Sequence, residues 1–320
     1  MKTTVVIPNY NGKNYLEDCL PSIRKGTTRP AVIVVDNGST DGSVAFLKEQ
    51  FPEVKCIALR ENLGFSAAVN IGIENADTEF VFLLNNDTVV SADAVEKLEK
   101  AMECEPKAFS MAAKMLNMKE PEKIDSAGDF YCALGWAFAR GKDKSSNCYE
   151  RKDRIFSSCA GAALYRKAVL TKLGGFDEAH FAYLEDIDIC YRASLYGFRN
   201  YYIPEAVVYH AGSGSSGSRY NEFKVRLSAR NSIYLVYKNM PILQILLNLP
   251  FLFLGFLIKT LFFVKKGFGR IYLRGLCQGF WMCFAKDGKA HKIKFTFRNI
   301  GNYCYIQLQL WVNMFRRFLG

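Results

Sequence analysis

The chain has 320 residues, half of them hydrophobic, with ten cysteines, three histidines and a formal net charge of +11. That is apolar material enough for one large folded unit with an appendage. The cysteines stand singly with no C-x-x-C pair, which argues against a zinc cluster or a disulfide framework and for reduced thiols in a cytosolic chain. The charge is uneven: from Arg219 onward there are 17 Lys/Arg and two acids (Glu222 and Asp287), against 25 bases and 29 acids before it.

The chain opens directly on a strand, Thr3–Pro8, rather than on a secretory leader. Helical spacing follows at Asn14–Ile23, then a buried-type strand Ala31–Val35 and a short helix Ser43–Gln50. Val54–Leu59 reads as a strand, Ser66–Asn75 as a helix, Phe80–Leu84 as a strand, Ala92–Glu103 as a helix and Ala108–Met115 as a strand. This alternation predicts an α/β fold, a mostly parallel twisted sheet covered by helices, with ligands held beyond the carboxyl ends of the strands. Polar residues gather at those ends: PNYNG (Pro8–Gly12), DNGSTDGS (Asp36–Ser43), ENLGFSAAVN (Glu61–Asn70) and NNDT (Asn85–Thr88). A turn accounts for any one of these clusters. Four clusters on one rim point to a site.

A lone carboxylate beside two amides at Asn85–Asp87 suits a Mg2+ or Mn2+ ion whose other ligands are phosphate and water. Asp36 is placed to accept from a base N–H or a ribose hydroxyl. No P-loop and no G-x-G-x-x-G follows the first strand, which argues against an ordinary NTPase and a dinucleotide fold.

Residues 120–156 read as an inserted loop or small hairpin with mobile parts. In Gly174–His210 three acids, Glu185, Asp186 and Asp188, crowd a helix start. Capping and dipole partnership explain one acid there, and a helix N-terminus tends to keep a carboxylate ionised, as a general base requires. Asp186 and Asp188 point about 200° apart, so one alone faces the rim. His210 closes a strand-like run, and the Gly/Ser run Ala211–Ser218 after it reads as a lid or a plain linker.

Met240–Val264 is nearly unbroken in apolar character and long enough to span a bilayer, although Pro241, Gln244, Asn248, Pro250 and Lys259 interrupt it. KKGFGR follows, and the basic, aromatic tail has no nucleic-acid motif, so the expected partner is an anionic membrane surface and not a nucleic acid. The competing reading of this segment is a helix buried against the rest of the chain.

PNYNG, VVDNGSTDGS, NLGFSAAVN, LLNNDT, the GGFDE…YLEDIDICYRASLYGFR block and PEAVVYH, in that order from Thr3 to about Asn239, resemble family 2 glycosyltransferases of the GT-A fold. The likeness is closest to the bacterial rhamnosyltransferase-like branch that builds surface polysaccharides. It implies a catalytic domain over 1–218, with a nucleotide-sugar half to about 118 and an acceptor half at 119–218, while the basic, apolar composition of 219–320 adds a helical region expected to associate with a membrane. The family's D-x-D metal motif falls on Asn85-Asn86-Asp87, with Asn in place of the first acid, so the implied ligand of a divalent metal is Asp87, joined by His210. The E-D motif falls on Glu185-Asp186, which makes Asp186 the implied base, with Glu185 and Asp188 on the acceptor side. Pro8, Tyr10, Asp36 and Asn62 fall where relatives grip the nucleotide, and Asn9, Asn37, Gly64, Asn70, Asn85 and Asn86 complete the expected donor-binding set.

The implied activity is inverting transfer, at the cytoplasmic face of the cell membrane, of a sugar such as rhamnose. The donor is a dTDP- or UDP-linked nucleotide-diphospho-sugar, and the acceptor a lipid-linked one or a glycan. Competing readings are a nucleotide-sugar binder without turnover and a nucleotidylyltransferase. The nucleotidylyltransferase lacks its Gly-rich, Arg-containing first loop here.

Overall fold

The computed structural model describes residues 2–212 and 220–319. Most of the Gly/Ser run expected as a lid or linker lies outside the described residues. Strand and helix alternate through β1 (Thr3–Asn9), α1 (Lys13–Arg24), β2 (Ala31–Asp36), α2 (Ser43–Gln50), β3 (Lys55–Ala58), α3 (Phe65–Glu74) and β4 (Phe80–Leu84). Each of these four strands runs parallel to its neighbour among them, in the order β3-β2-β1-β4. All five side chains of β4 are buried, because helices cover both faces of the sheet. Phe80, Phe82 and Leu84 join the cluster that includes residues of α1, while Val81 and Leu83 join the one that includes residues of α3. At ~1.5–3 kcal/mol per buried apolar side chain, this strand anchors the sheet.

The chain continues through β5 (Thr88–Val90), α4 (Ala94–Glu103), β6 (Ala108–Asn117), β7 (Ile124–Ser126), β8 (Asp129–Cys132), β9 (Trp136–Ala139), β10 (Asp153–Ile155), β11 (Ala162–Arg166), α5 (Lys167–Lys172), α6 (Glu185–Leu195) and β12 (Arg199–His210). Beyond β4 the sheet is mixed. β11 is antiparallel to both β4 and β6, whereas β12 runs parallel to β6 and antiparallel to β5 and β10. Residues 120–156 are more ordered than a loop: β8 and β9 form a hairpin, β7 pairs with β6, and Ile124, Phe130, Tyr131 and Leu134 are core residues.

Among the described residues, five α-helices follow β12: α7 (Glu222–Asn239), α8 (Ile242–Lys265), α9 (Gly269–Phe284), α10 (Lys286–His291) and α11 (Ile300–Leu319). α7 is stitched to the start of α6 by buried charge, with Lys238 Nζ donating to Asp177 Oδ2 (2.6 Å) and Asp188 Oδ2 (2.8 Å). Leu252 of α8 and Tyr303, Ile306 and Leu310 of α11 share one apolar cluster with Tyr131, Ile187 and Tyr191. All ten cysteines are unpaired.

Candidate active site

The strand ends of the parallel half and the start of α6 face each other across a cleft of about 950 Å3, at the upper end of small-ligand sites. Asn9, the last residue of β1, is buried; its amide donates to Asp36 Oδ2 (2.8 Å) and its carbonyl accepts from Asn86 Nδ2 (2.7 Å). A buried amide has to satisfy both ends, so this relay fixes how both asparagines point. A Cβ on Gly12 would lie 2.0 Å from Asn86 Nδ2, so glycine there gives Asn86 its seat. Asn37 donates to Asn62 Oδ1 and to Gly64 O (both 3.0 Å) and accepts from Leu63 N (2.9 Å), which pins the turn after β3. Gly64 sits at φ 91°, where a Cβ would meet the Phe181 carbonyl at 2.6 Å. Only glycine lets this turn approach the α6 side so closely.

Asp87 and His210 come together because β12 pairs with β5, setting His210 opposite Thr88. His210 Nε2 lies 3.3 Å from Asp87 Oδ1, and His210 Nδ1 lies 2.9 Å from Asp125 Oδ2. Asp125, on β7, also pairs with Lys142. Burial disfavours the charged ring, but the bonds to Asp125 and Asp87 overcome it and push His210 up to about 9. Burial likewise works to raise Asp125, yet His210 and Lys142 bring it down to about 2. A divalent cation would displace the Nε2 proton, and the Asp87 oxygen and imidazole nitrogen then left at the cleft, with the ring held from behind by a second carboxylate, fit such an ion.

On the opposite wall, the loop into α6 carries Phe181, Tyr183 and Leu184 at φ 62°, 72° and 69°. Left-handed backbone on such side chains costs ~1–3 kcal/mol each and persists only when the surroundings hold it. The holding group is Asn231 of α7, buried, whose amide donates to the carbonyls of His180 (3.0 Å), Ala182 (2.9 Å) and Tyr183 (2.7 Å). Arg230 adds bonds to Ala179 O (2.9 Å) and His180 O (2.7 Å). The strained loop delivers Asp186 to the cleft, where Oδ1 accepts from Ile187 N (2.7 Å). Its carboxylate, that of Asp129 and the Cys159 sulfur lie within 4.8 Å of one another. Burial raises Asp186 to about 6 despite the backbone bonds, and burial also raises Asp129, with the Asp186 charge adding to it. Glu185 is pushed up to about 8 by burial and by Asp186. Desolvation at the helix start thus outweighs the N-terminal amides, which raises the pH at which Asp186 loses its proton but leaves it ionised at neutral pH.

Residues 4–174, just over half of the chain, match the family described as Glycosyl transferase family 2. The chain belongs to that family. It is 28% identical over 237 residues to the N-acetylglucosaminyl-diphospho-decaprenol L-rhamnosyltransferase of Mycobacterium tuberculosis, a match covering 67% of this chain and 77% of that one. Among solved structures it resembles S. aureus TarS 1–349 in complex with UDP-GlcNAc, with TM-score 0.59, 18% identity, and coverage of 91% of this chain and 83% of that one. It also resembles the mannosyltransferase PcManGT from Pyrobaculum calidifontis in complex with GDP-Man and Mn2+, with TM-score 0.52, 16% identity, and coverage of 90% and 82%. The fold is GT-A, and the chain is a rhamnosyltransferase-like glycosyltransferase.

In this glycosyltransferase the cleft is lined by Pro8, Asn9, Tyr10, Asn37, Asn62, Gly64, Asn85, Asn86, Asp87, Glu185, Asp186 and His210. Three expected site residues are not on its wall. Asp36 stands behind Asn9 and also accepts from Ser39 N (2.9 Å), so it orients the relay. Asn70 instead pins the loop before α6, donating to Phe176 O (2.8 Å) and Glu178 Oε1 (3.0 Å). Asp188 points away, fully buried between Arg192 (2.9 Å), Lys238 (2.8 Å) and Asn239 (2.8 Å). Asp177, His180 and Asp188 have metal-like spacing, but Lys238 already supplies the cation between the two acids. The sequence reading missed Asp125, Asp129, Lys224 and Arg317 on the cleft wall, and Asn231 behind it. The available signal for the first two was a pair of acids four apart in KIDSAGD, between the core residues Ile124 and Phe130.

Proposed function

We propose that the protein is an inverting glycosyltransferase that moves a sugar, rhamnose in our reading, from a dTDP- or UDP-linked donor to a lipid-linked acceptor in cell-surface glycan synthesis. One observation carries this reading: a single cleft sets the Asp87–His210 pair across from Asp186, with the asparagine relay lining the space beside them. The relay and the turn at Asn62–Gly64 bind the nucleotide, and Tyr10, which is exposed at the rim, stacks on its base. Asp186, unprotonated above about pH 6, takes the proton of the acceptor hydroxyl. The acceptor oxygen bonds to the anomeric carbon from the face opposite the diphosphate, and the nucleoside diphosphate departs with the electrons of the broken bond. Asp87 and His210 would hold a divalent cation, Mn2+ or Mg2+, which when bound neutralises charge on the departing diphosphate. Asp129 stands beside Asp186, and Asp125 fixes the ring of His210.

We further propose that residues 1–239 make the catalytic unit, since α7 holds the α6 loop, and that 240–320 place it on the cytoplasmic face of the cell membrane. The test is a panel of nucleotide-sugars, dTDP-rhamnose among them, offered with a polyprenyl-diphospho-sugar acceptor and Mn2+ or Mg2+, the product anomer read by NMR. Retention of configuration, or donor binding with no transfer to any acceptor, would refute the proposal.

A further inference from the structure

Helix α8 is built inside out. Its inward stripe is Gln244, Asn248, Leu252 and Gly255, all buried, and two of the four are amides. Gln244 Oε1 accepts from Tyr191 Oη of α6 (2.7 Å), Asn248 exchanges two bonds with Gln307 of α11 (both 2.8 Å), and Trp136 Nε1 of β9 donates to Gly255 O (3.0 Å). Leu243, Leu246, Phe253 and Leu261 point outward, 74%, 56%, 70% and 61% exposed. A surface helix facing water shows its polar side to water. Here the polar side faces protein and the apolar side faces out, so the medium outside is apolar. α11 repeats the arrangement, with Gln307 and Asn313 buried and Phe315 and Phe318 exposed.

At about 36 Å, α8 is long enough to cross a bilayer. Its packing forbids that. Tyr191 belongs to the helix whose first turn carries the proposed base, and Trp136 precedes Ala137 and Phe138 on the cleft wall. A crossing helix would draw these, and the charged cleft beside them, into hydrocarbon. The chain after α8 also returns to the catalytic unit, where Ala133 N donates to Leu310 O (3.1 Å) and Asn313 Nδ2 to Tyr131 O (3.0 Å). Phe263 and Phe268, at and just past the end of α8, pack against Val225 and Ala229 of α7, whose other end leads into α8, so both ends of α8 lie on one side. Lys265 ends it and Lys266, Arg270 and Arg274 follow, all exposed, with charge complementary to anionic headgroups. The apolar surface reaches the cleft, because Trp136 and Phe318 lie 6.5 Å apart while their neighbours Phe138 and Arg317 line it.

We infer that α8 lies flat in one anionic leaflet, with α11 beside it, so that the cleft rim at Phe138 and Arg317 stands at headgroup level where a lipid-linked acceptor presents its sugar. This deepens, and rests on, the reading of the protein as a transferase to lipid-linked acceptors. The full-length protein, tagged at both ends, is exposed to protease in inside-out membrane vesicles. Both tags should be cleaved, and protection of either one overturns the flat arrangement.

Co-sedimentation with vesicles of phosphatidylglycerol and phosphatidylcholine gives the second reading. The Leu243→Gln/Phe253→Gln variant should partition on the order of tenfold or more weaker. The Lys265→Ala/Lys266→Ala variant should lose its preference for phosphatidylglycerol. Donor hydrolysis by both variants should match wild type. Unchanged vesicle binding by the first variant, or a dimer that covers this face and ignores vesicles, overturns the docking surface and leaves the transferase reading intact. A wild type that binds vesicles but turns over no donor overturns the transferase reading instead.

Discussion

Two carboxylates two positions apart on α6 should fail in different ways when each is made an amide. Asp188 is fully buried and accepts from Arg192 Nε (2.9 Å), Lys238 Nζ (2.8 Å) and Asn239 Nδ2 (2.8 Å). Burial alone would raise its pKa, but Arg192 and Lys238 hold it far below the usual carboxylate range. Asp188→Asn leaves those two cations with one anion fewer, and Lys238 keeps only Asp177 (2.6 Å). Breaking a buried pair in this way costs ~3–5 kcal/mol. At ~2–4 °C per kcal/mol for a chain of this size, the melting temperature should fall by about 10 °C.

Asp186→Asn removes a group that the fold prefers neutral, so it should melt like wild type below about pH 4 and somewhat above it at neutral pH, never below it. It should instead cut transfer by ~10²–10⁴ with donor binding intact. In the wild type the rate should rise with pH through about 6 as Asp186 loses its proton, and that rise should vanish in the amide variant. Thermal melts, donor calorimetry and transfer of a radiolabelled sugar separate the two outcomes. An Asp188→Asn protein that melts like wild type and does not transfer, beside an active Asp186→Asn, would place the base at Asp188 and refute the assignment.

Asp87→Ala should lose most metal-dependent turnover with the fold retained, and Asn85→Asp should tighten Mn2+ binding by calorimetry; retained turnover in the first removes Asp87 from the metal site. Asp125→Asn should weaken metal binding ~10–100-fold through a loosened His210 ring, and an unchanged affinity would show that His210 needs no partner. Glu185, raised to about 8, keeps a proton that the unfolded chain has lost, so its contribution to wild-type stability falls as pH rises from about 4.5 to 8. Glu185→Gln should therefore match wild type near pH 4 and exceed it by about 1–3 kcal/mol at pH 8; equal melts at both pH values would deny the buried carboxyl. Asn231→Ala should drop kcat more than donor affinity, because three carbonyls lose the amide that holds the loop into α6; a loss of stability alone, with kcat intact, would make Asn231 purely structural.

The part of the cleft built on the parallel strands was legible because its signals are local. β4 is a buried run that stops in three polar residues, and each polar cluster follows directly on its own strand. The wall built from β7, β12 and α6 was not, because its placement is long-range. Asp125 reaches His210 only through the pairing of β7 with β6 and of β6 with β12, 85 residues apart in the chain. The match to the E-D motif picked Asp186, and the geometry of a helix separated it from Asp188, but nothing local announced that burial would raise its pKa. Asn70 looked like a rim residue because it follows the turn at Gly64. One helical turn and a half further on, it faces the loop before α6 instead.

The two places where local rules failed outright share a cause. Phe181, Tyr183 and Leu184 hold left-handed backbone that no propensity favours, and Gln244 and Asn248 sit on the buried side of an apolar helix. In each case an amide satisfies the conflict: Asn231 binds the strained loop's carbonyls, and Gln244 and Asn248 bind Tyr191 and Gln307. Natural sequences tolerate such conflicts where a site must be held. The loop conflict aims Asp186 into the cleft, and the helix conflict ties the outward apolar face to α6, the helix that begins with Asp186's own turn. A side chain that slides α8 along α6 would therefore tilt the proposed base against the proposed membrane plane. Tyr191→Phe removes the hydrogen bond to Gln244, so stimulation of transfer by anionic vesicles should fall while vesicle binding and donor hydrolysis hold, and unchanged stimulation would show that this bond transmits nothing.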